Sequence, residues 1–495
     1  MTDIRNTLQR VSTGILGLDT VLQGGFFKGG LYLIQGSPGT GKTTLANQIC
    51  FHGVKNGGRA LYVTLLAEYH ARMVQYIGNM SFFDESKIPD QLSYISGFRV
   101  MRSEGLSALL TLIRREILSR KTTILIVDGL VAAQRVATND QAFNEFVHEL
   151  QGIALSADCT VFLVASSDRS SHSTPEHTMV DGILELSDQA IGWATERALQ
   201  VTKIRGSDYL RGKHTYKITD DGIVVYPRTE ALLAAPTSDD HSGIERISSG
   251  CAALDTMLGG GLPGGSPTML VGPSGVGKTT FGLHFLSGCS KEEPGLMLGF
   301  YETPTRIKAK AQQVCRPLIP LLDDGVVHIL WEPPIKDSLD AYAERLLTTI
   351  RQRRARRLFL DGLGALQSAP AGEQRVRQYL PALTNELRAL GVTTIYSLEA
   401  GNIIGPATPV SFGDLSVLAE NLVLLRYVEL GATLHRLISI LKVRDSDFDP
   451  RLHEFVLTED GPDIMDSTQS AEVIMSGSAP RESNPGAKPQ APRAD

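Results

Sequence analysis

Short apolar and β-branched runs alternate along the chain with longer segments in which apolar residues recur at helical spacing. The runs are LYLIQG, ALYVTLL, TILIVD and TVFLVAS in the first half, then TMLVG, GLMLGF, RLFLD and TTIYSL in the second. GLSALLTLIRREILSR is one of the helical segments between them. That alternation calls for an α/β fold, a mostly parallel sheet flanked by helices. Later stretches, ALQVTKIRG to TYKITDDGIVVYP and LHRLISILKVRD to HEFVLTEDGPDI, read as antiparallel strands added at the sheet edge.

The pattern occurs twice because the chain contains itself twice. QRVSTGILGLDTVLQGGFFKGGLYLIQGSPGTGKTT, ending at Thr44, returns as ERISSGCAALDTMLGGGLPGGSPTMLVGPSGVGKTT, ending at Thr280, an offset of 236 positions. ILIVDGL recurs as LFLDGLG around Asp361, and TKIRGSD recurs as LKVRDSD around Lys442. Two tandem domains follow, over 1–232 and 244–467. The linker between them, 233–243, loses periodicity and gathers Ala, Pro, Ser and Asp. The stretch 468–495, ending GSAPRESNPGAKPQAPRAD, is poor in large apolar residues and reads as a disordered tail.

Composition narrows the class. The chain has 495 residues, with 48 Lys+Arg against 54 Asp+Glu and a net charge of −6, which speaks against coating nucleic acid by bulk charge. Five scattered cysteines form neither a disulfide framework nor a CxxC zinc pattern, so a reducing cytoplasm is the expected location. No apolar run approaches the roughly 18 residues of a spanning helix, and the opening MTDIRNTLQR is unlike a signal peptide, so no membrane association is expected.

The chemistry sits at two glycine-rich loops. Gly36, Ser37, Pro38, Gly39, Thr40, Gly41, Lys42 and Thr43 spell GSPGTGKT, followed by Thr44; Gly272, Pro273, Ser274, Gly275, Val276, Gly277, Lys278 and Thr279 spell GPSGVGKT, followed by Thr280. Both fit the phosphate-binding loop, in which glycines let backbone N–H groups face phosphate oxygens at a helix N-terminus. Lys42 or Lys278 then reaches the β and γ phosphates, and Thr43 or Thr279 ligates Mg²⁺. Asp128 closes ILIVD and Asp361 closes LFLD; an acid at a buried strand end beside such a loop is placed to hold the metal's water shell, its other reading being a helix cap. Hydrolysis also needs a group to polarise water. Glu302 in GFYETP is the candidate in the second copy. In the first, Leu66 or Ala67 occupies that position and Glu68 stands one or two residues late. Lys203 with Arg205 and Lys442 with Arg444 repeat a K-x-R pair on one strand face; far in sequence from their own loops, they read as fingers for a neighbour's nucleotide or as a solvated edge.

These residues resemble the KaiC family of two-domain RecA-type ATPases. The resemblance runs from about Arg5 to Ser467 and includes the RVSTGILGLD and RISSGCAALD openings, both loops, the KIRG and KVRD fingers and the YKITDDGIVVYP and EFVLTEDGPDIMDS closes. It implies tandem RecA-like domains in a homohexamer of stacked rings, ATP with Mg²⁺ between neighbouring subunits, and Lys203, Arg205, Lys442 and Arg444 acting in trans. It also implies a serine/threonine autokinase in the second ring. DLSVLAENLVLLRYVE puts Ser416 at the serine acceptor and Val417 at its threonine partner, and the paired catalytic glutamates fall on Tyr301 and Glu302 or on Glu302 and Thr303. A signalling partner protein is a further expectation.

Three functional readings stand at this level: an ATP-driven regulatory hexamer with slow hydrolysis and autokinase activity, a DNA-dependent ring motor of the RadA or DnaB type, and a scaffold assembled by ATP without significant catalysis. RQRRARR, 351–357, is the main basic cluster available to nucleic acid, although it ends a helix where cations suit the C-terminal dipole. The four-cysteine module of a RadA-like chain is absent before the first loop.

Overall fold

The computed structural model describes residues 9–66, 70–166, 176–191, 194–235, 245–333, 337–367, 373–399, 419–430, 433–444 and 446–465. Glu68, Ser416, most of the expected linker and the expected tail lie outside the described residues. The chain divides into two compact units, Met1–Ala234 and Ala235–Asp495.

In the first unit the elements that carry the site are β1 (Leu31–Gly36), α1 (Lys42–Lys55), β2 (Ala60–Thr64), α2 (His70–Ile77), β3 (Leu92–Ser96), α3 (Phe98–Arg120) and β4 (Ile124–Asp128). They continue as α4 (Asp140–Ala157), β5 (Thr160–Ser166), β6 (Gly182–Ile191), β7 (Ala194–Ile204), β8 (Lys213–Thr219) and β9 (Gly222–Tyr226). The nine strands form one sheet in the order β3-β2-β4-β5-β1-β6-β7-β8-β9. Pairing is parallel from β3 through β6 and antiparallel from β6 to β9.

The second unit repeats the plan with β10 (Pro267–Gly272), α5 (Lys278–Ser287), β11 (Gly295–Gly299), α6 (Pro304–Val314), β12 (Val327–Trp331), α7 (Leu339–Arg353) and β13 (Arg357–Asp361). It closes with α8 (Glu373–Ala389), β14 (Thr393–Glu399), β15 (Asn421–Leu430), β16 (Thr433–Lys442), β17 (His453–Thr458) and β18 (Gly461–Ile464). Its order, β12-β11-β13-β14-β10-β15-β16-β17-β18, is that of the first sheet strand for strand.

The continuous apolar runs are explained by burial on both faces. Tyr32, Ile34, Tyr62, Ile126 and Phe162 point to the α1 side of the first sheet, while Leu31, Leu33, Leu61, Val63, Leu125 and Val127 point to the α3 and α4 side. Each such side chain contributes about 1.5–3 kcal/mol on leaving water. The outer parallel strands β3 and β12 are buried only in part, so their runs are diluted by polar residues.

The opening segments are tied down in the same way in both units. Arg10 donates to the carbonyls of Leu22 and Gly25, and Arg246 to those of Leu258 and Gly261. Asp19 accepts from Ser12 and Thr13 as Asp255 does from Ser248 and Ser249. The repeat seen in the letters is a repeat of hydrogen bonds.

Candidate nucleotide sites

Each glycine-rich loop joins the central strand of a sheet to the helix behind it. α1 begins at Lys42 and α5 at Lys278, and neither helix has a side-chain cap: the N-cap positions are Gly41, at φ 88°, and Gly277, at φ 121°. A side chain at Gly41 would also strike Ile218, whose Cδ1 stands 2.6 Å from a Cβ placed there. The first-turn N–H groups of both helices are thus left for an anionic ligand. Lys42 Nζ donates to the carbonyls of Gly36 and Ser37 at 2.7 and 2.8 Å, and Lys278 Nζ to those of Gly272 and Pro273, both at 2.7 Å. Burial holds both ammonium groups below the usual lysine range, against the opposing pull of Asp128 on Lys42 and of Glu399 and Asp361 on Lys278.

Each acid ends the strand one removed from its loop strand, Asp128 on β4 beyond β5 and Asp361 on β13 beyond β14. In the second unit Asp361 accepts from Thr279 Oγ1 at 2.9 Å and from Ser397 Oγ at 2.5 Å. Burial raises the proton affinity of Asp361, opposed by those two hydroxyls. In the first unit Asp128 accepts from Tyr62 Oη at 2.7 Å. In the second unit the carboxylate bonded to the loop threonine is a hard oxygen donor set suited to Mg²⁺.

The cleft of the second unit holds about 460 Å³ and is lined by the loop together with Asp361, Ser397, Glu302, Lys310 and Glu399. Glu302 lies in it and is ion-paired with Lys310 of α6. The register settles which residue of the first unit corresponds. Thr64 pairs with Asp128 as Gly299 pairs with Asp361, and Leu66 and Tyr301 each lie against the glycine after the acid, Gly129 and Gly362. Leu66 is the counterpart of Tyr301, so Glu302 corresponds to Ala67, and Glu68 stands one residue late.

The K-x-R pairs sit at the other end of each sheet. Lys203 in β7 is level with Ile183, and so with Leu33; Lys442, the last residue of β16, is level with Leu422 and Met269. Each is three residues before the glycine that opens its own loop, roughly 10 Å at 3.3 Å per residue, and two strands to the side. Arg205 and Arg444 come two residues further on, past the strand ends, so only the lysines lie within the strands themselves. Lys203 and Arg205 donate to the carbonyl of Thr178, Lys442 donates to that of Ala419, and Arg444 pairs with Glu420 at 3.5 Å.

Three arginines of the basic cluster 351–357 bond within their own unit. Arg351 pairs with Glu386 at 2.6 Å, Arg356 donates to the Leu390 carbonyl, and the buried Arg357 donates to the carbonyls of Ser248 and Phe285.

Sequence reasoning missed Tyr62, Ser397, Lys310 and Glu399. Tyr62 and Ser397 lie inside strand runs whose hydroxyls look like fillers, and Lys310 lies on a helix. Glu399 ends the TTIYSL run, where an acid beside a phosphate loop is a signal that could have been read.

Twin central-strand loops of this kind, each with a lysine, a threonine and a strand-end acid in one mostly parallel sheet, define a tandem RecA-like ATPase. The KaiC ATPase family model matches residues 11–230 and again 247–469. The chain belongs to the KaiC ATPase family. It is similar to the circadian clock oscillator protein KaiC of Picosynechococcus sp., 26% identical over 489 residues, 96% of this chain and 93% of that protein. It is similar also to the circadian clock oscillator protein KaiC of Synechococcus elongatus, 24% identical over 493 residues with 96% and 92% covered. Among the described residues no helix is long and apolar enough to cross a membrane.

Proposed function

We propose that the chain is an ATP-binding and ATP-hydrolysing regulatory homohexamer, with nucleotide between neighbouring subunits and a serine autokinase in the second domain. The observation that carries this reading is the position of the K-x-R pairs, each at the sheet end opposite its own phosphate loop. A cation there has no reach to its own nucleotide, and a neighbour's nucleotide gives it one. Lys203 and Arg205, with Lys442 and Arg444, then stabilise charge on the transferring phosphoryl group in trans.

Within each site the loop amides and Lys42 or Lys278 orient the phosphates; the lysine exchanges its two loop carbonyls for phosphate oxygens. Thr43 with Asp128, and Thr279 with Asp361, would hold Mg²⁺, which supplies neutralisation of phosphate charge. A carboxylate of the cleft polarises the attacking water, and the family resemblance puts forward Glu302 in the second domain and Glu68 in the first. Ser416 is the candidate phosphate acceptor. The relatives' name, circadian clock oscillator, supports a regulatory role in which the phosphorylated ring signals to a partner protein.

Light scattering on the eluting protein tests assembly: a hexamer in Mg²⁺-ATP and smaller species without nucleotide are expected, and a monomer insensitive to ATP would sink the trans arrangement. Phosphosite mapping after incubation with labelled ATP tests the kinase. Label on Ser416 is expected; an unlabelled Ser416 beside normal ATP turnover leaves a plain ATPase.

A further inference from the structure

We propose that Lys310 is a positioning residue for hydrolysis in the second domain, holding the Glu302 carboxylate in the cleft and aimed at the attacking water. The assignment rests on the hydrolysis reading above, with Glu302 as the base, and names what orients that base. Glu302 stands in the short connection between β11, which ends at Gly299, and α6, which begins at Pro304. A glutamate there has three side-chain torsions to settle and lies in neither strand nor helix. It also faces like charge. The Asp361 carboxylate is near enough for the two to repel, and the γ phosphate of a bound ATP would add to that repulsion. Left alone, Glu302 would swing out of the cleft.

Lys310 supplies the opposing pull. Its ammonium is ion-paired with the Glu302 carboxylate, and it lines the same cleft as Lys278, Thr279 and Asp361. The lysine is carried on the body of α6, whose place against the sheet is fixed by the buried Ile307 and Ala311, the second of them its chain neighbour. A packed helix therefore sets where the carboxylate points. Both side chains are 34% exposed, so the pair adds little to stability and its effect is on direction. The first unit has neither partner. In sequence Ala67 takes the glutamate's place, and in α2 the residue before the buried Ile77 is Tyr76, where Lys310 precedes the buried Ala311. The lysine gives up no atom in the reaction. The water oxygen bonds to the γ phosphorus, the water's proton passes to Glu302, and the bond from phosphorus to the bridging oxygen breaks with its electron pair leaving on ADP. Lys308, two residues back on the same helix, pairs with Asp323 and does not line the cleft.

The test uses the full-length chain and labelled Mg²⁺-ATP, the second-domain phase being identified by its loss in Lys278→Ala. Lys310→Met is expected to lower the maximal rate of that phase by about 10- to 100-fold, the loss that a misaimed group brings. The ATP concentration giving half the maximal rate should stay within about twofold. Lys310→Arg is expected to restore most of the rate, and Lys308→Met to leave it unchanged. Glu302→Gln removes the group through which Lys310 acts, so adding Lys310→Met to it should slow the phase by no more than about twofold further. A Lys310→Met rate within about threefold of the unaltered chain would overturn the proposal. So would full additivity of the two substitutions, since Lys310 would then act on the phosphate directly. An equal loss in Lys308→Met would overturn it too, by making the effect one of helix stability. If the unaltered chain binds ATP and shows no second-domain phase, the hydrolysis reading itself fails and the assignment with it.

Discussion

At the scale of single residues the two sites solve the same problem with different hydroxyls. Each strand-end acid needs a donor in the core, and Tyr62 on β2 supplies it to Asp128 where Ser397 on β14 supplies it to Asp361. The counterpart of Tyr62 is Met297 and that of Ser397 is Val164, so each unit has one hydroxyl and one apolar side chain at the pair of positions. Tyr62→Phe should destabilise the first unit by about 1–3 kcal/mol, the cost of a partly buried carboxylate losing one of its donors, read as a shift in the chemical denaturation midpoint. His70 makes a second prediction. It bonds Thr64 at 2.7 Å, and burial holds it below its ordinary value of 6.5, against the backbone bond with Ile95. A base whose folded value is depressed contributes stability that is present above its unfolded value and lost as pH falls through it. The thermal midpoint should therefore fall on acidification from about pH 7 to pH 5.5, and fall less in His70→Gln. The loops, Asp128 and Asp361 were legible in the sequence because spacing marks them. Tyr62 and Ser397 were not, because their roles come from strand register, which joins residues far apart in the chain.

At the scale of elements, the central strands were legible and the outer ones were less so, for one physical reason. β1, β2, β4 and β5 are buried on both faces and spell unbroken apolar runs, whereas β3 (LSYIS) and β12 (VHILW) are half-covered and mix polar with apolar residues. α3 was legible from its period over GLSALLTLIRREILSR, but its extension back to Phe98 crosses a non-helical Gly105 at φ 86°, which breaks the period. Close packing of helix on sheet also depends on single small residues. Gly282 in α5 lies over Phe359 of β13, where an added Cβ would stand 2.2 Å from the ring. Gly282→Ala should cost about 1–3 kcal/mol by overpacking, measurable as a lowered midpoint for the second unit.

At the scale of the whole molecule, duplication was the most legible feature of all, since the two sheets keep one strand order across an offset of 236 positions. The assembly proposed above rests on the resemblance and on the position of the K-x-R pairs. It predicts complementation. Arg444→Ala and Lys278→Ala chains, each with second-domain turnover reduced by about 10³-fold or more, should regain activity when mixed and reassembled in ATP. Mixtures that stay inactive would mean the finger and loop serve the same protomer.

Under the trans assembly proposed above, the distance between each K-x-R pair and its own loop has a genetic consequence. In a cell carrying two alleles, a chain lacking only its finger spoils one interface per copy, and working sites fall in proportion to the normal chain. A chain lacking finger and loop together spoils the interface on either side, so working sites fall with the square of the normal fraction. The severity of a lesion would then depend on how many faces of the protomer it damages, and a doubly damaged copy would be more harmful present than deleted.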